Sequence, residues 1–168
     1  MRGSSRRRSA RSRSWRDGEL VPRIERSAQV SWEGNLARGT GHVSADTGAF
    51  AELPFSLPSR IGNPEGKTSP EELLAASHAC CLGMSVAGEL SGAGSPPEVL
   101  SLTARVIMDE VEGKGHQVVA SEVDVHGRVP GIDAAEFERI VAVADAGCPF
   151  SALIRASASV TVRAHLDS

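Results

Sequence analysis

Between residues 27 and 166 the apolar side chains recur with two different periods, and the switches between them lay out the chain. Ala28, Val30 and Trp32 alternate with Ser27, Gln29, Ser31 and Glu33, the period-two signature of a strand. Glycines at 34, 39, 41 and 48 then predict short strands joined by tight turns. Residues 54–69 hold three prolines and two glycines with no sustained period, which predicts a loop. Loops of that length in a compact domain are more often functional than shorter ones.

A long helix is predicted next. Ser69 suits the N-cap, Pro70 the first helical position, and Glu71 and Glu72 the positive end of the helix dipole. Gly92, Gly94, Pro96 and Pro97 end it. Its body is small and apolar nearly all round, with Ala75, Ala76, Ala79, Gly83, Ala87 and Gly88, which predicts burial on most faces against close neighbours. Alternation then returns. Leu102, Ala104, Val106 and Met108 form one inward face; Val119, Val123, Val125 and Val129 form another, with Glu122, Asp124, His126 and Arg128 outward. A helix over 133–146, a short one over 149–155 and a last strand through Ala158, Val160, Val162, Ala164 and Leu166 complete the chain. The expected fold is α+β: antiparallel sheets, each buried on one face, packed around a long buried helix. One-faced sheets from a single copy leave part of that helix bare, so a second subunit is expected to cover it.

Composition adds bounds. A chain of 168 residues with 40% hydrophobic content supports one ordinary core. No uninterrupted apolar run approaches the ~20 residues of a bilayer span, so no membrane association is expected. Three cysteines, an odd number, argue against a disulfide-stapled secreted scaffold and fit a reducing, cytoplasmic setting. The net charge of −3 divides unevenly: residues 1–26 carry nine arginines against three acids (+6), and residues 27–168 nine bases against eighteen acids (−9). The boundary expected from this is a basic arm over 1–26 and one domain over 27–168. Eleven of the first fourteen residues are Arg or Ser, which predicts a disordered arm. No apolar stretch follows the charges, which excludes a secretory or twin-arginine export signal. A dispensable extension is the favoured reading, ahead of a nucleic-acid-binding tail. An acidic body is a poor match for a phosphate backbone.

Candidate chemistry centres on thiols. Phosphate-binding loops, dinucleotide fingerprints and HExxH pairs are absent from the sequence. His78 and Cys81 make one HxxC pair, short of the ligands that a zinc site needs, and no metal is expected. His42, His116, His126 and His165 read as surface positions. Cys148 stands before Pro149 at the start of a short helix, where the helix N-terminus favours a thiolate. On dipole grounds alone Cys148 is the stronger reactive thiol, because Cys81 lies mid-helix and needs a cation from elsewhere. Cys80, one helical step from Cys81, reads as a small hydrophobe.

The stretch SPEELLAASHACCLGM resembles the active-site helix of the OsmC/Ohr family of thiol-dependent hydroperoxide peroxidases, and AGCPFSALI its second cysteine motif. WEGNLARGTGHVSADTG and PGID resemble the OsmC branch, so that the likeness spans roughly 27–166. The resemblance implies roles. Cys81 matches the peroxidatic cysteine, Cys148 the resolving one, Glu71 the active-site glutamate and Arg60 its arginine partner, with Arg38 the reserve because the Ohr branch draws its arginine from the early turn. It implies reduction of organic hydroperoxides, with hydrogen peroxide a poorer substrate. No cofactor is bound in such proteins; an external dithiol, a dihydrolipoyl group free or on a lipoylated protein, resets them. It also implies an intertwined homodimer with active sites at the interface. Glu71 and Cys81 lie ten residues apart on the predicted helix, about 15 Å along its axis, which agrees with a site shared across two subunits. Cys80 departs from the pattern, standing where the family usually has Ala. The alternative on the same fold is a low-turnover thiol redox sensor or a binding module.

Overall fold

The structure, a computed structural model, describes residues 23–167. Most of the basic arm lies outside the described residues; Arg23–Arg26 are irregular and exposed. The first sheet is an antiparallel meander of β1 (Ala28–Glu33), β2 (Thr40–Ala45) and β3 (Leu53–Phe55). The segment expected as a loop is more ordered than its composition predicts. It holds β3 and a five-residue helix, α1 (Leu57–Ile61), capped by Ser56, whose hydroxyl accepts from Ser59 N–H. Prolines at a strand edge and at a first helical turn are compatible with both elements.

The long helix α2 (Pro70–Gly92) begins as expected, with Ser69 Oγ accepting from Glu72 N–H at 3.1 Å. It is followed by β4 (Val99–Val111), β5 (Gly115–Arg128), α3 (Ala134–Gly147), α4 (Pro149–Arg155) and β6 (Ser159–Leu166). The second sheet runs β4-β5-β6. The β4–β5 hairpin is antiparallel, but β6 pairs parallel to β5. Two helices between β5 and β6 carry the chain back to the starting edge, and a crossover of that length delivers a parallel strand. Val123 and Val125 of β5 meet Leu82, Val86 and Leu90 of α2 and Phe137, Ile140 and Val141 of α3 in one core.

Burial on α2 departs from the expectation. Ala75, His78, Leu82, Val86 and Leu90 make one buried stripe, while Ala76, Cys80, Met84 and Gly88 lie open, Met84 at 71% exposure. This helix is also long and apolar enough by length and composition to cross a membrane, against the sequence expectation. Its buried stripe packed on α3 and the second sheet marks it as a core helix. The first sheet is left equally bare: neither β1, β2, β3 nor α1 packs extensively on α2 or the second sheet, and Val30 is 63% exposed.

The core is tight where β5 meets α3. A methyl group added at Gly127 would lie 2.6 Å from the Phe137 ring. Phe137→Ala is expected to cost about 3–5 kcal/mol, and Gly127→Ala about 1–3 kcal/mol by overpacking. In the Phe137→Ala background Gly127→Ala should cost much less, because the clashing ring is gone and only the flexible Leu100 side chain, 3.1 Å away, must give. Urea unfolding at matched protein concentration measures all three; additive losses would contradict the packing described.

Candidate active site

Proline builds the first half of the site. Pro149 disfavours helical backbone at the residue before it, so α3 must end and α4 must start again across Cys148, which is extended at φ −73° and ψ 119°. The break turns the thiol inward, and Cys148 is fully buried against α2. There it meets Cys81, which is half-buried and packs against the same core, and the two thiols are near enough for each to shift the other's pKa. All three cysteines are free thiols, and Cys80 lies exposed on the open face of α2.

The two thiols are not equivalent. Burial pushes the Cys81 thiol up, and its hydrogen bond with Cys148 adds to the rise against the opposing Phe150 N–H. Burial pushes Cys148 up as well, but the Ser151 N–H and hydroxyl, the Cys81 thiol and the Phe150 N–H outweigh it and hold Cys148 below the ordinary thiol range. Cys148 Sγ makes no hydrogen bond of capping geometry to α4. Sulfur is a diffuse acceptor, and donors facing it favour the thiolate at distances that a capping oxygen would not use. Cys148 is therefore the more acidic thiol, and among the described residues of the same copy no cation acts on Cys81.

The cation sits elsewhere. Arg60, in the last turn of α1, forms a two-pronged pair with Glu71 in the first turn of α2: Nε donates to Oε1 and Oε2 at 3.2 and 3.0 Å, and Nη2 donates to Oε1. The hydrogen bonds from Arg60 hold the Glu71 carboxyl below the usual carboxylate range despite partial burial. Arg60 Nη2 also reaches Met108 Sδ at 3.3 Å. Arg38 lies exposed in the turn after β1, where its backbone N–H donates to Asn35. Arg60, not Arg38, is thus the arginine that Glu71 holds. Beside Arg60 is a small pocket of about 110 Å³, walled by Trp32, Leu36, Phe55 and Leu57. The two rings stand 5.7 Å apart, and glycines give them room: a Cβ on Gly39 would strike Trp32, and one on Gly41 would strike Phe55.

Comparisons with known proteins give the family. The family described as OsmC-like protein matches residues 62–163. The chain belongs to the OsmC-like family. Peroxiredoxin OsmC of Escherichia coli strain K12 is 37% identical over 133 residues, covering 79% of this chain and 92% of the relative. An organic hydroperoxide resistance protein of Xanthomonas axonopodis pv. citri is 33% identical over 122 residues, covering 71% of this chain and 82% of its own length. Among solved structures, an organic hydroperoxide resistance protein OsmC from Legionella pneumophila superposes with a TM-score of 0.64 at 27% identity, over 82% of this chain and 96% of that one. An organic hydroperoxide resistance protein from Elizabethkingia anophelis, at 22% identity and a TM-score of 0.68 over 88% and 100% of the two chains, shares the fold.

In this OsmC-like chain the sequence-predicted residues fall into two groups, Cys81 with Cys148 and Arg60 with Glu71, at different points along α2. Sequence reasoning missed two features. The aromatic wall of Trp32 and Phe55 was hidden because Trp32 read only as an inward strand residue. A buried polar chain was also missed: His78 Nδ1 lies 2.8 Å from Ser121 Oγ, and Nε2 lies 2.9 Å from Ser151 Oγ. Its signal was present, since Ser121 interrupts an inward face of valines and a polar side chain there requires a partner.

The Arg60–Glu71 pair makes a pH-dependent contribution to stability. Glu71 titrates lower in the folded protein than in the unfolded chain, so the stabilisation is complete above the unfolded value near 4.5 and is lost as pH falls through the lower folded value. Glu71→Gln should cost about 1 kcal/mol at pH 7, a small figure because solvent reaches both partners. Urea titrations of both proteins should show that gap closing below pH 4.5. A gap that widens on acidification would contradict the pairing.

Proposed function

We propose that this OsmC-like protein is a cysteine peroxidase for organic hydroperoxides that works as a homodimer with Cys81 as the attacking thiol. The single observation that carries the reading is the pairing of Cys81 with Cys148, two free thiols side by side at the packed core, near enough for each to shift the other's pKa. The Cys81 thiolate attacks the terminal oxygen of the hydroperoxide, the O–O bond breaks, and the alkoxide leaves and is protonated to the alcohol. Cys81 is left as a sulfenic acid. Cys148 then displaces its hydroxyl as water, and the resulting disulfide guards Cys81 against further oxidation. An external dithiol, a dihydrolipoyl group in free or protein-bound form, restores both thiols, and the reducing cytoplasm supplies it.

Cys81 needs a positive charge to ionise, and a second copy brings it. Glu71, and Arg60 clamped to it, are ten residues up α2 from Cys81, about 15 Å along the axis, too far to act within one chain. A second copy related by a two-fold would cover the open face of α2 and the unpacked first sheet, and would bring its own Arg60 to Cys81. Arg60 then lowers the Cys81 pKa and polarises the O–O bond, while Glu71 fixes the guanidinium plane. The pocket beside Arg60 favours organic hydroperoxides over hydrogen peroxide, because Trp32, Leu36 and Phe55 offer apolar surface to an alkyl or aryl tail.

The test is consumption of cumene hydroperoxide with dihydrolipoamide as reductant. Wild type should turn over; Cys81→Ser should be inactive; Cys148→Ser should complete one turnover and then over-oxidise. Arg60→Ala should lower kcat/KM about 100-fold, the scale of losing one donor to a developing oxyanion. A Cys81→Ser protein that keeps its rate while Cys148→Ser loses it reverses the two roles. A chain lacking residues 1–26 should keep both rate and dimer; loss of either would show that the arm participates.

A further inference from the structure

Three polar side chains are completely buried in the core beside the thiols, each from a different element: His78 on α2, Ser121 on β5 and Ser151 on α4. Burying them is unfavourable unless their hydrogen bonds are made, and both ring nitrogens of His78 are engaged, at 2.8 Å by Ser121 Oγ and 2.9 Å by Ser151 Oγ. Ser151 is the third residue of α4, one helical turn from Cys148 at the N-cap, and both are fully buried; its hydroxyl also favours the Cys148 thiolate. We propose that His78 is a positioning residue for the resolving step, aiming the Ser151 hydroxyl at the Cys148 sulfur through a chain anchored by Ser121. The inference rests on the peroxidase reading above and assigns a regulator to its second thiol.

The direction of the chain follows from proton counting. A serine has one O–H. If Ser151 donates it to Cys148 Sγ, its oxygen must accept from the imidazole, which places the proton on His78 Nε2. Nδ1 then bears a lone pair and accepts from the Ser121 hydroxyl. With a neutral ring no other arrangement satisfies both the imidazole and the sulfur. The surroundings keep the ring neutral. Burial pushes its pKa down, the Arg155 guanidinium on α4 acts in the same direction, and Asp145 on α3 opposes them while ion-paired to Arg155. From β5 the residue facing the ring is Ser121 and from α4 it is Ser151; Asp145 and Arg155 are the charged groups that act on it among the described residues.

The consequence falls on one chemical step. Cys148 ionises, releasing its proton to solvent, and the thiolate attacks the sulfur of the Cys81 sulfenic acid; the S–S bond forms, the S–O bond breaks, and the leaving hydroxide takes a proton from solvent and departs as water. Without His78 the Ser151 hydroxyl is free to turn toward backbone carbonyls, as helical serines do, and the thiolate loses a donor.

The experiment follows disulfide formation in the full chain after one equivalent of cumene hydroperoxide, across pH 5–9, with sulfinic acid measured by mass spectrometry. Ser151→Ala should move the pH midpoint of the resolving step up by about one unit, slow it about tenfold at neutral pH and raise Cys81 over-oxidation. His78→Phe should do the same, His78→Gln, which keeps an N–H donor, should recover most of the rate, and the His78→Phe/Ser151→Ala pair should be no worse than either alone. A wild-type midpoint in His78→Phe, or additive effects in the double variant, overturns the proposal. The wild-type protein gives a second readout. Long-range proton–nitrogen spectra of its ¹⁵N-labelled histidines should show His78 as the Nε2–H tautomer from pH 7 to 9, and the Nδ1–H tautomer or an imidazolium there overturns the proposal even if the Phe variant does not fold. A wild type that forms no Cys81–Cys148 disulfide overturns the peroxidase reading first, a failure distinct from a disulfide that forms without regard to His78.

Discussion

A helix cannot fold back on itself, and most of what this molecule needs follows from that. Glu71 opens α2 and Cys81 lies ten residues further along it, so that the arginine held by Glu71 and the thiol that requires a cation are separated by the rigid rise of about 15 Å. The chain builds each half of the proposed reactive centre well. At one point a bidentate Arg60–Glu71 pair stands beside an aromatic pocket; at another a buried pair of thiols sits under a helix break. Neither half is complete alone. The bare face of α2 and the unpacked first sheet tell the same story in hydrophobic terms, since both expose apolar surface that an isolated copy has no means to cover.

The electrostatics explain why two cysteines of similar type would divide the labour. Cys148 is favoured as a thiolate by fixed donors from its own chain, chiefly Ser151, whereas burial disfavours the Cys81 thiolate and the one backbone donor facing it, the Phe150 N–H, does not offset that. A thiol made acidic by its own scaffold is suited to a step that must always be available, such as resolution. A thiol that awaits a partner's arginine would be reactive only in the assembled protein. The proposed dimer is therefore a condition for chemistry as well as for stability.

Legibility in the sequence followed physical locality. The N-cap of α2 at Ser69, the stop at Gly92, the Asp133 cap of α3 and the Cys-Pro break were readable because each is decided by residues a few positions apart. The inward faces of β4, β5 and β6 were readable from period two, but the parallel pairing of β6 with β5 was not, since strand direction depends on the route of the intervening helices. The segment 54–69 was read as a loop because its prolines break every period, yet those prolines suit a short edge strand and a helix start. Cys81, Cys148, Arg60 and Glu71 were named through a family likeness; geometry then joined Arg60 rather than Arg38 to Glu71. His78 escaped because its meaning lies in contacts with residues 43 and 73 positions away.

Complementation between two inactive variants tests the shared site most directly. Cys81→Ser keeps Arg60, and Arg60→Ala keeps Cys81. Mixed, dissociated and reassociated, the two proteins form heterodimers in which one site draws its thiol from one subunit and its arginine from the other. If the site spans the interface, hydroperoxide reduction should return to about a quarter of the wild-type rate, one restored site in half of the dimers. If the arginine serves the cysteine of its own chain, every site in the mixture carries a defect, and activity no higher than that of the separate variants would contradict the shared site.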